Sequence, residues 1–120
     1  MANVITGNTP PRVCPENYGD YIEWIKTDNI INLEKLTRAE ESLSKKGFDR
    51  CRYVNKGAIL MTCIAGSLNT IGNMVIVDRR VAFNQQINAI CPHEAEATYI
   101  LYALQANRGQ LHSKTKKSLT

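Results

Sequence analysis

The stretch GAILMTCIAGSLNTIGNMVIVDRRVAFNQQINAIC, residues 57–91, decides the fold class of this 120-residue chain. Its apolar runs at 58–65 and 74–77 are separated by GSLNTIG, which has a glycine at each end, and DRR follows the second run. Short apolar runs bounded by turn-forming residues are typical of β-strands, so these two predict a hairpin. Residues 81–91 predict a further strand, with Phe83, Ile87 and Ile90 as its apolar anchors.

The segment before this stretch predicts one strand and one short helix. YIEWI, at 21–25, alternates between faces as a strand does. In TRAEESLSKKG, Thr37 and Glu40 have the spacing of a capping box, and Gly47 is a natural C-terminal stop. This pattern predicts a helix near 37–46.

The segment after the stretch predicts a second helix, near 93–108. Pro92 suits the first turn of a helix. The apolar stripe consists of Tyr99, Ile100, Tyr102, Ala103 and Leu104. The fold class is therefore α+β, a single domain whose strand-rich centre is a mostly antiparallel or mixed sheet.

Length and composition predict one domain over 1–111, followed by a basic flexible tail at 112–120. A chain of 120 residues with 43% hydrophobic residues can bury a core without disulfides or metal. The longest apolar run is too short to cross a bilayer, and the N-terminus lacks a basic start followed by an apolar block. Four scattered cysteines without a C-x-x-C pair indicate reduced thiols. We therefore expect a cytoplasmic protein without membrane contact or metal site.

Two segments partly match motifs of enzymes, but neither has the full spacing or context of its motif. GSLNTIG is not followed by G-K-[ST], so it does not match a phosphate-binding loop. HEAEA, at 93–97, has Ala97 where a zinc-binding helix has its second histidine. Cys91 and His93 could form a nucleophile and base, which leaves a small thiol enzyme as a minor hypothesis. We expect no enzyme activity and no cofactor.

Positive charge is concentrated between residues 45 and 56, where five cations face only Asp49. Phe48 and Tyr53 lie among them, and basic residues interleaved with aromatics are typical of nucleic-acid contacts. A plain solvated face is the alternative. The candidate phosphate contacts are Lys45, Lys46, Arg50, Arg52 and Lys56.

Four carboxamides, in FNQQIN at 83–88, interrupt an otherwise apolar strand. Asn and Gln pair bidentately with adenine in the major groove, and they also bind buried backbone groups. Both roles are open from the residues alone.

The ordered fragments TGNTPP, GDYIEWIKTDNI, SKKGFDRCRYVNKGAILMTCIAG, AFNQ and YILYALQ resemble the target recognition domain of specificity subunits in type I restriction and modification systems. The resemblance covers about residues 5–105. It implies a reader of double-stranded DNA that contacts one half of a bipartite target. It also implies a DNA methyltransferase subunit as partner and, through it, the restriction subunit. Because the chain holds one such domain, we expect a fragment or a half-sized subunit that works with a second recognition domain or by self-association.

The resemblance also suggests which residues read bases. Domains with different targets share A-x-N-Q, so Asn84 and Gln85 are expected to be scaffold, whereas Gln86 and Asn88 stay open. Loops beside the shared motifs supply the other candidates. The candidate base contacts are Lys26, Thr27, Asn29, Ser67, Asn69, Thr70, Arg79, Arg80, Gln86 and Asn88. The alternative function is a protein-interaction module that docks on a DNA methyltransferase without reading DNA.

Overall fold

The computed structural model describes residues 2–64, 70–92 and 97–106. In chain order the elements are β1 (Ala2–Thr6), β2 (Tyr18–Ile25), β3 (Ser42–Leu43), α1 (Lys45–Asp49), β4 (Tyr53–Val54), β5 (Ile59–Thr62), β6 (Met74–Ile76), β7 (Val81–Phe83), β8 (Ile87–Pro92) and α2 (Ala97–Ala106). Single 3₁₀ turns lie at Pro15–Asn17 and Thr27–Asn29.

The strands form two four-stranded sheets, which confirms the predicted α+β class. The first sheet has the order β1-β8-β5-β6, and its pairs are antiparallel. The second has the order β3-β2-β7-β4 and is mixed, because β2 and β7 run parallel with Ile25 opposite Phe83. The predicted hairpin is β5 and β6, paired antiparallel with Leu60 opposite Val75.

The main hydrophobic core lies between the two sheets. Ile25 and Phe83 of the second sheet and Leu60 and Ile87 of the first are fully buried in one cluster. Because strand side chains alternate between faces, the neighbours of these residues point to the outer faces. This alternation gives the molecule four layers: α1, the second sheet, the first sheet and α2.

Each helix covers the outer face of one sheet. Trp24 and Ala82 of the second sheet pack with Phe48 of α1. Ile59 and Met74 of the first sheet pack with Leu101 of α2. Helix α2 lies within the helix predicted near 93–108; residues 93–96 and 107–108 are outside the described residues, as is the predicted tail at 112–120.

The short helix predicted near 37–46 is wrong in position, because α1 begins at Lys45. Thr37 does not cap a helix: its hydroxyl donates to the backbone oxygen of Asn29 and accepts from the Asn29 amide. The residue that caps α1 is Ser44, whose hydroxyl accepts a hydrogen bond from the Gly47 backbone N–H at 3.1 Å. Gly47 therefore lies inside the helix instead of ending it.

The single strand predicted over 81–91 is two strands, β7 and β8, which belong to different sheets. The side chain of Asn84 accepts from the backbone N–H of Gln86 at 3.1 Å, and the Asn84 carbonyl accepts from Ile87 at 3.2 Å. These bonds close a turn that carries the chain from the second sheet to the first. In the described parts of the chain, no helix is long and apolar enough to span a membrane.

Candidate nucleic-acid interface

Both sheets end side by side at one end of the molecule, where the turn from β7 to β8 lies. The backbone N–H of Asn84 donates to Ile25 at the end of β2, and that of Asn8 donates to Phe83 at the end of β7. Cys63, after β5, donates to the carbonyl of Gln86 at 2.8 Å. We call this end the turn end; it consists of Thr6–Thr9, Lys26–Thr27, Cys63–Ile64 and Gln85–Asn88.

The segment after β1 is held tightly against the turn end. A Cβ atom at Gly7 would overlap the carbonyl oxygens of Phe83 and Asn84, so only glycine fits there without a shift of the backbone. The Asn8 side chain donates to the carbonyl of Arg50 at 3.0 Å and accepts from the N–H of Arg52 at 2.9 Å. The segment thus fixes the chain that leads into β4.

The four carboxamides have different surroundings. Asn84 is buried and closes the turn described above. Gln85 accepts a hydrogen bond from the Thr9 hydroxyl, and Asn88 accepts one from the Thr6 hydroxyl at 2.8 Å. The Gln86 side chain is half-buried and makes no hydrogen bond with the described residues. Asn84 and Gln85 therefore stabilise the turn end, in agreement with their expected scaffold role.

Three candidate base contacts follow β2. Lys26 pairs with Glu41 at 3.0 Å and lies 5.6 Å from the centre of the Trp24 ring. Thr27 begins a 3₁₀ turn and is half-buried. Asn29 is buried, and its amide binds Lys26 N–H, the Thr37 hydroxyl and the Arg38 carbonyl. Its hydrogen bonds to neighbouring segments are therefore structural.

The guanidinium of the candidate Arg79, which is partly buried, is also occupied by contacts within the protein. Its guanidinium binds the Glu23 carboxylate through two hydrogen bonds and the carbonyl oxygens of Leu36 and Thr37 through two more. The Arg79 hydrogen bond holds the pKa of the Glu23 carboxyl below its usual range. The pKa of Arg79 is raised, first by its hydrogen bond with Glu23.

The candidates of the β5–β6 hairpin loop are only partly described. Ser67 and Asn69 lie outside the described residues. Thr70 is half-buried, and its carbonyl accepts from the N–H of Asn73 at 3.1 Å. The Gln86 carbonyl also accepts from Ile64, which brings the described start of this loop to the turn end.

Two of the candidate phosphate contacts form ion pairs with carboxylates. Lys45 pairs with Asp49 at 2.7 Å, and Lys46 pairs with Glu16 at 3.5 Å. Four other cations, which we call the β4 cations, have no carboxylate partner within the described residues. They flank the edge strand β4 and its neighbour β7; they are the candidate phosphate contacts Arg50, Arg52 and Lys56, together with the candidate base contact Arg80.

Aromatic side chains lie between these cations. Phe48 is 5.5 Å from Tyr21 and 4.8 Å from Tyr53, measured between ring centres. The Arg80 guanidinium lies 5.5 Å from the Tyr53 ring centre, and its Nε donates to Asn55 at 2.8 Å. Cation–π contacts of this kind hold the charged groups in place on an exposed surface.

Arg52 joins the β4 cations to the turn end. Its Nη1 donates to the Thr6 carbonyl at 2.8 Å, and the Thr6 hydroxyl in turn binds Asn88. The turn end thus brings together Arg52, Lys26, Thr27, Gln86 and Asn88. By contrast, Arg79, Arg80 and Lys56 lie towards the opposite end of β7. Thr6, Asn8 and Thr9 were not predicted as part of this site; the fragment TGNTPP was their only signal.

Three of the four described thiols are partly buried in surroundings that disfavour the thiolate. Burial raises the pKa of Cys51, Cys63 and Cys91, which disfavours the thiolate. His93, the base of the thiol-enzyme hypothesis, lies outside the described residues. Within the described ranges, no three His, Cys, Asp or Glu side chains are grouped to hold a metal ion.

The sequence matches a family model along its full length. Residues 1–120 match the family model described as type I restriction modification DNA specificity domain. The type I restriction enzyme HindI specificity subunit of Haemophilus influenzae is 30% identical over 104 residues, which are 85% of this chain and 22% of that protein. This chain therefore spans about a fifth of that relative's length.

Two solved structures share the fold. One, described as the structural basis underlying complex assembly and conformational transition of the type I R-M system, has a TM-score of 0.68 and 16% identity over 95% of this chain and 27% of that one. The other, the HsdS subunit from Thermoanaerobacter tengcongensis, has a TM-score of 0.67 and 14% identity over 93% of this chain and 27% of that one. With the family model matched over all 120 residues, this chain belongs to the type I restriction modification DNA specificity domain family.

Proposed function

We propose that this chain reads the sequence of double-stranded DNA for a type I restriction and modification complex, contacting one half of a bipartite target. One observation carries the proposal: the β4 cations, which lack carboxylate partners among the described residues, meet the polar turn end at Arg52. Unpaired cations attract phosphate, and side chains at the end of a rigid sheet can reach base edges.

The proposal assigns different roles to the candidate residues. For base contact it keeps Lys26, Thr27, Gln86 and Asn88 at the turn end, with Ser67, Asn69 and Thr70 of the hairpin loop. For phosphate contact it keeps Lys45, Lys46, Arg50 and Lys56 and adds Arg80, which stacks on Tyr53 away from the turn end. Asn29 and Arg79 are assigned to structure because their polar groups bind other segments of the chain.

In the proposed role, other subunits carry out the reactions on the DNA. In this account the chain itself is not catalytic: a DNA methyltransferase subunit modifies the target, and the restriction subunit acts through it. A second recognition domain, or a second copy of this chain, reads the other half-site. The similarity to a protein named as the specificity subunit of a type I restriction enzyme supports this division. The setting we propose is the cytoplasm, where the DNA lies.

The experiment is a titration of mixed-sequence duplex DNA by the chain, followed by fluorescence anisotropy across a salt series. One domain makes only part of the contacts of a bipartite reader, so we expect a dissociation constant of about 10⁻⁴ to 10⁻⁶ M at physiological salt. The Arg50→Ala variant is expected to weaken binding to all sequences about equally and to reduce the salt slope by about 1.

The matched control is Lys35→Ala. Lys35 has an 83% exposed side chain and pairs with Asp78, whereas Arg50 has no carboxylate partner among the described residues. The Lys35→Ala variant is expected to show the same salt dependence of DNA binding as the wild type. A chain that stays folded but binds no duplex at low salt would overturn the proposal and favour the alternative of a module that docks on a methyltransferase without reading DNA.

A further inference from the structure

Arg52 differs from the other β4 cations in its position. Its backbone N–H is held by Asn8 at 2.9 Å, and its Nη1 is held by the Thr6 carbonyl at 2.8 Å. The same Thr6 binds Asn88 through its hydroxyl. Arg52 therefore lies among the turn-end side chains, although it is exposed and belongs to the basic segment.

The hydrogen bonds of Arg52 leave one edge of its guanidinium available. Nη1 is occupied, whereas Nε and Nη2 make no hydrogen bond with the described residues. Two N–H groups on one edge of a planar guanidinium match the O6 and N7 acceptors of guanine in the major groove. A side chain fixed in this way loses less conformational entropy on binding than a mobile one.

We propose that Arg52 reads a guanine in the half-site, in addition to its contribution to the positive charge. This inference rests on the proposed DNA-reading function. Asn88 lies beside Arg52 through their shared partner Thr6, so the guanine is adjacent to whichever base Asn88 contacts. Arg52 is thus assigned to specificity, in place of the phosphate contact that its position in the basic segment suggested.

The other arginines of this region fit that role less well. Arg79 uses Nε, Nη1 and Nη2 for hydrogen bonds within the protein. Arg50 directs Nη1 to Asn17, beneath α1. Arg80 stacks on Tyr53 towards the opposite end of β7. Of these four arginines, Arg52 alone combines a fixed guanidinium with a free edge at the turn end, as judged from the described residues.

The first test selects duplexes from a randomised pool with the chain at low salt, about 50 mM, where phosphate contacts raise affinity. The wild type is expected to enrich a guanine at one position. Arg52→Ala is expected to lower the preference for that guanine by about 5- to 150-fold and to keep the other preferences. Arg52→Lys retains the charge but not the planar two-donor edge, so most of the loss is expected to remain.

The second test changes the DNA and leaves the protein intact. Replacing the selected guanine with 7-deazaguanine removes the N7 acceptor and keeps base pairing. The wild type is expected to bind this duplex at least about 5-fold more weakly, whereas Arg52→Ala binds both duplexes equally. Because wild-type protein is used, this test holds even where a variant fails to fold.

The outcomes separate this inference from the function on which it rests. A loss of affinity in Arg52→Ala that is equal for all sequences, or equal wild-type binding to guanine and 7-deazaguanine duplexes, would assign Arg52 to phosphate and overturn the inference alone. Enrichment that is unchanged in Arg52→Ala would overturn it as well. A wild-type chain that enriches no sequence at any salt concentration overturns both the inference and the proposed reading of DNA.

Discussion

The carboxylate of Glu23 accepts two hydrogen bonds from the guanidinium of Arg79, at 2.5 Å from Nε and 2.8 Å from Nη2. Glu23 also accepts from the backbone N–H of Ala39 at 2.8 Å, and Arg79 binds the carbonyls of Leu36 and Thr37. This pair therefore holds the segment 36–39 against the second sheet.

Replacing Glu23 with Gln is expected to destabilise the fold by about 1–3 kcal/mol, because it removes the carboxylate that accepts two hydrogen bonds from the partly buried Arg79 and leaves Asp78, at 2.7 Å, as its carboxylate partner among the described residues. The measurement is urea unfolding followed by circular dichroism. Lys45→Ala removes a pair whose side chains are 60% and 59% exposed, so its effect is expected to stay within about 0.5 kcal/mol. Equal effects of the two changes would contradict a structural role for the Glu23–Arg79 pair.

Acid is expected to destabilise the fold by protonating the carboxylates of Glu23 and Glu41. Hydrogen bonding by Arg79 lowers the folded-state pKa of Glu23, and hydrogen bonding by Arg12 and then Lys26 lowers that of Glu41. The stabilisation is present above the ordinary glutamate value of 4.5 and is lost as pH falls through the lower folded-state pKa. Urea unfolding at a series of pH values is expected to show a smaller acid dependence for Glu23→Gln than for the wild type; an identical dependence would contradict this cause.

The same segment shows where local sequence signals are misleading. Thr37, Glu40 and Gly47 have the spacing of helix boundaries. This spacing predicts a helix from local residues alone and takes no account of contacts with distant residues. Arg79 lies 42 residues from Thr37, and its hydrogen bond to the Thr37 carbonyl cannot be read from a local pattern. Long-range hydrogen bonds hold the segment non-helical, so the short helix begins only at Lys45.

The amide side chains of Asn84 and Gln86 are expected to differ in their contribution to stability. Asn84→Ala removes the buried acceptor that closes the turn between β7 and β8, and we expect a loss of about 1–3 kcal/mol in the free energy of unfolding. Gln86→Ala is expected to change stability by less than about 0.5 kcal/mol, since the Gln86 side chain has no hydrogen bond with the described residues. Comparable losses in both variants would show that Gln86 is scaffold too.

The sequence indicated the strands of the core because their apolar periodicity is local. Residues 58–65 and 74–77 became β5 and β6, and 21–25 became part of β2. The break at Asn84 was not predicted, because an apolar run is compatible with one strand or two. Likewise β1 was missed, since its pairing with β8 and the fit of Gly7 against Phe83 depend on residues far along the chain.

Gly47 lies inside α1, close to the backbone of Asn17, and does not end the helix as its sequence position suggested. An added Cβ would overlap the carbonyl oxygen of Asn17, which already accepts from the N–H of Ser44 at 3.0 Å. Gly47→Ala is therefore expected to destabilise the fold, although Gly to Ala inside a helix is ordinarily favourable by about 1 kcal/mol. Thermal unfolding checks the sign, with Lys46→Ala in the same helix as the control; a raised melting temperature for Gly47→Ala would contradict the close approach.

The most direct test of the central claim, that DNA lies on the turn end, is a map of backbone amide NMR shifts during titration with duplex DNA. We expect the largest shifts in Thr6–Thr9, Lys26–Thr27, Arg50–Arg52 and Gln85–Asn88. Small shifts are expected in α2, which packs on the outer face of the first sheet and whose Tyr99 and Tyr102 are exposed. Shifts concentrated in α2, with none at the turn end, would contradict the claim.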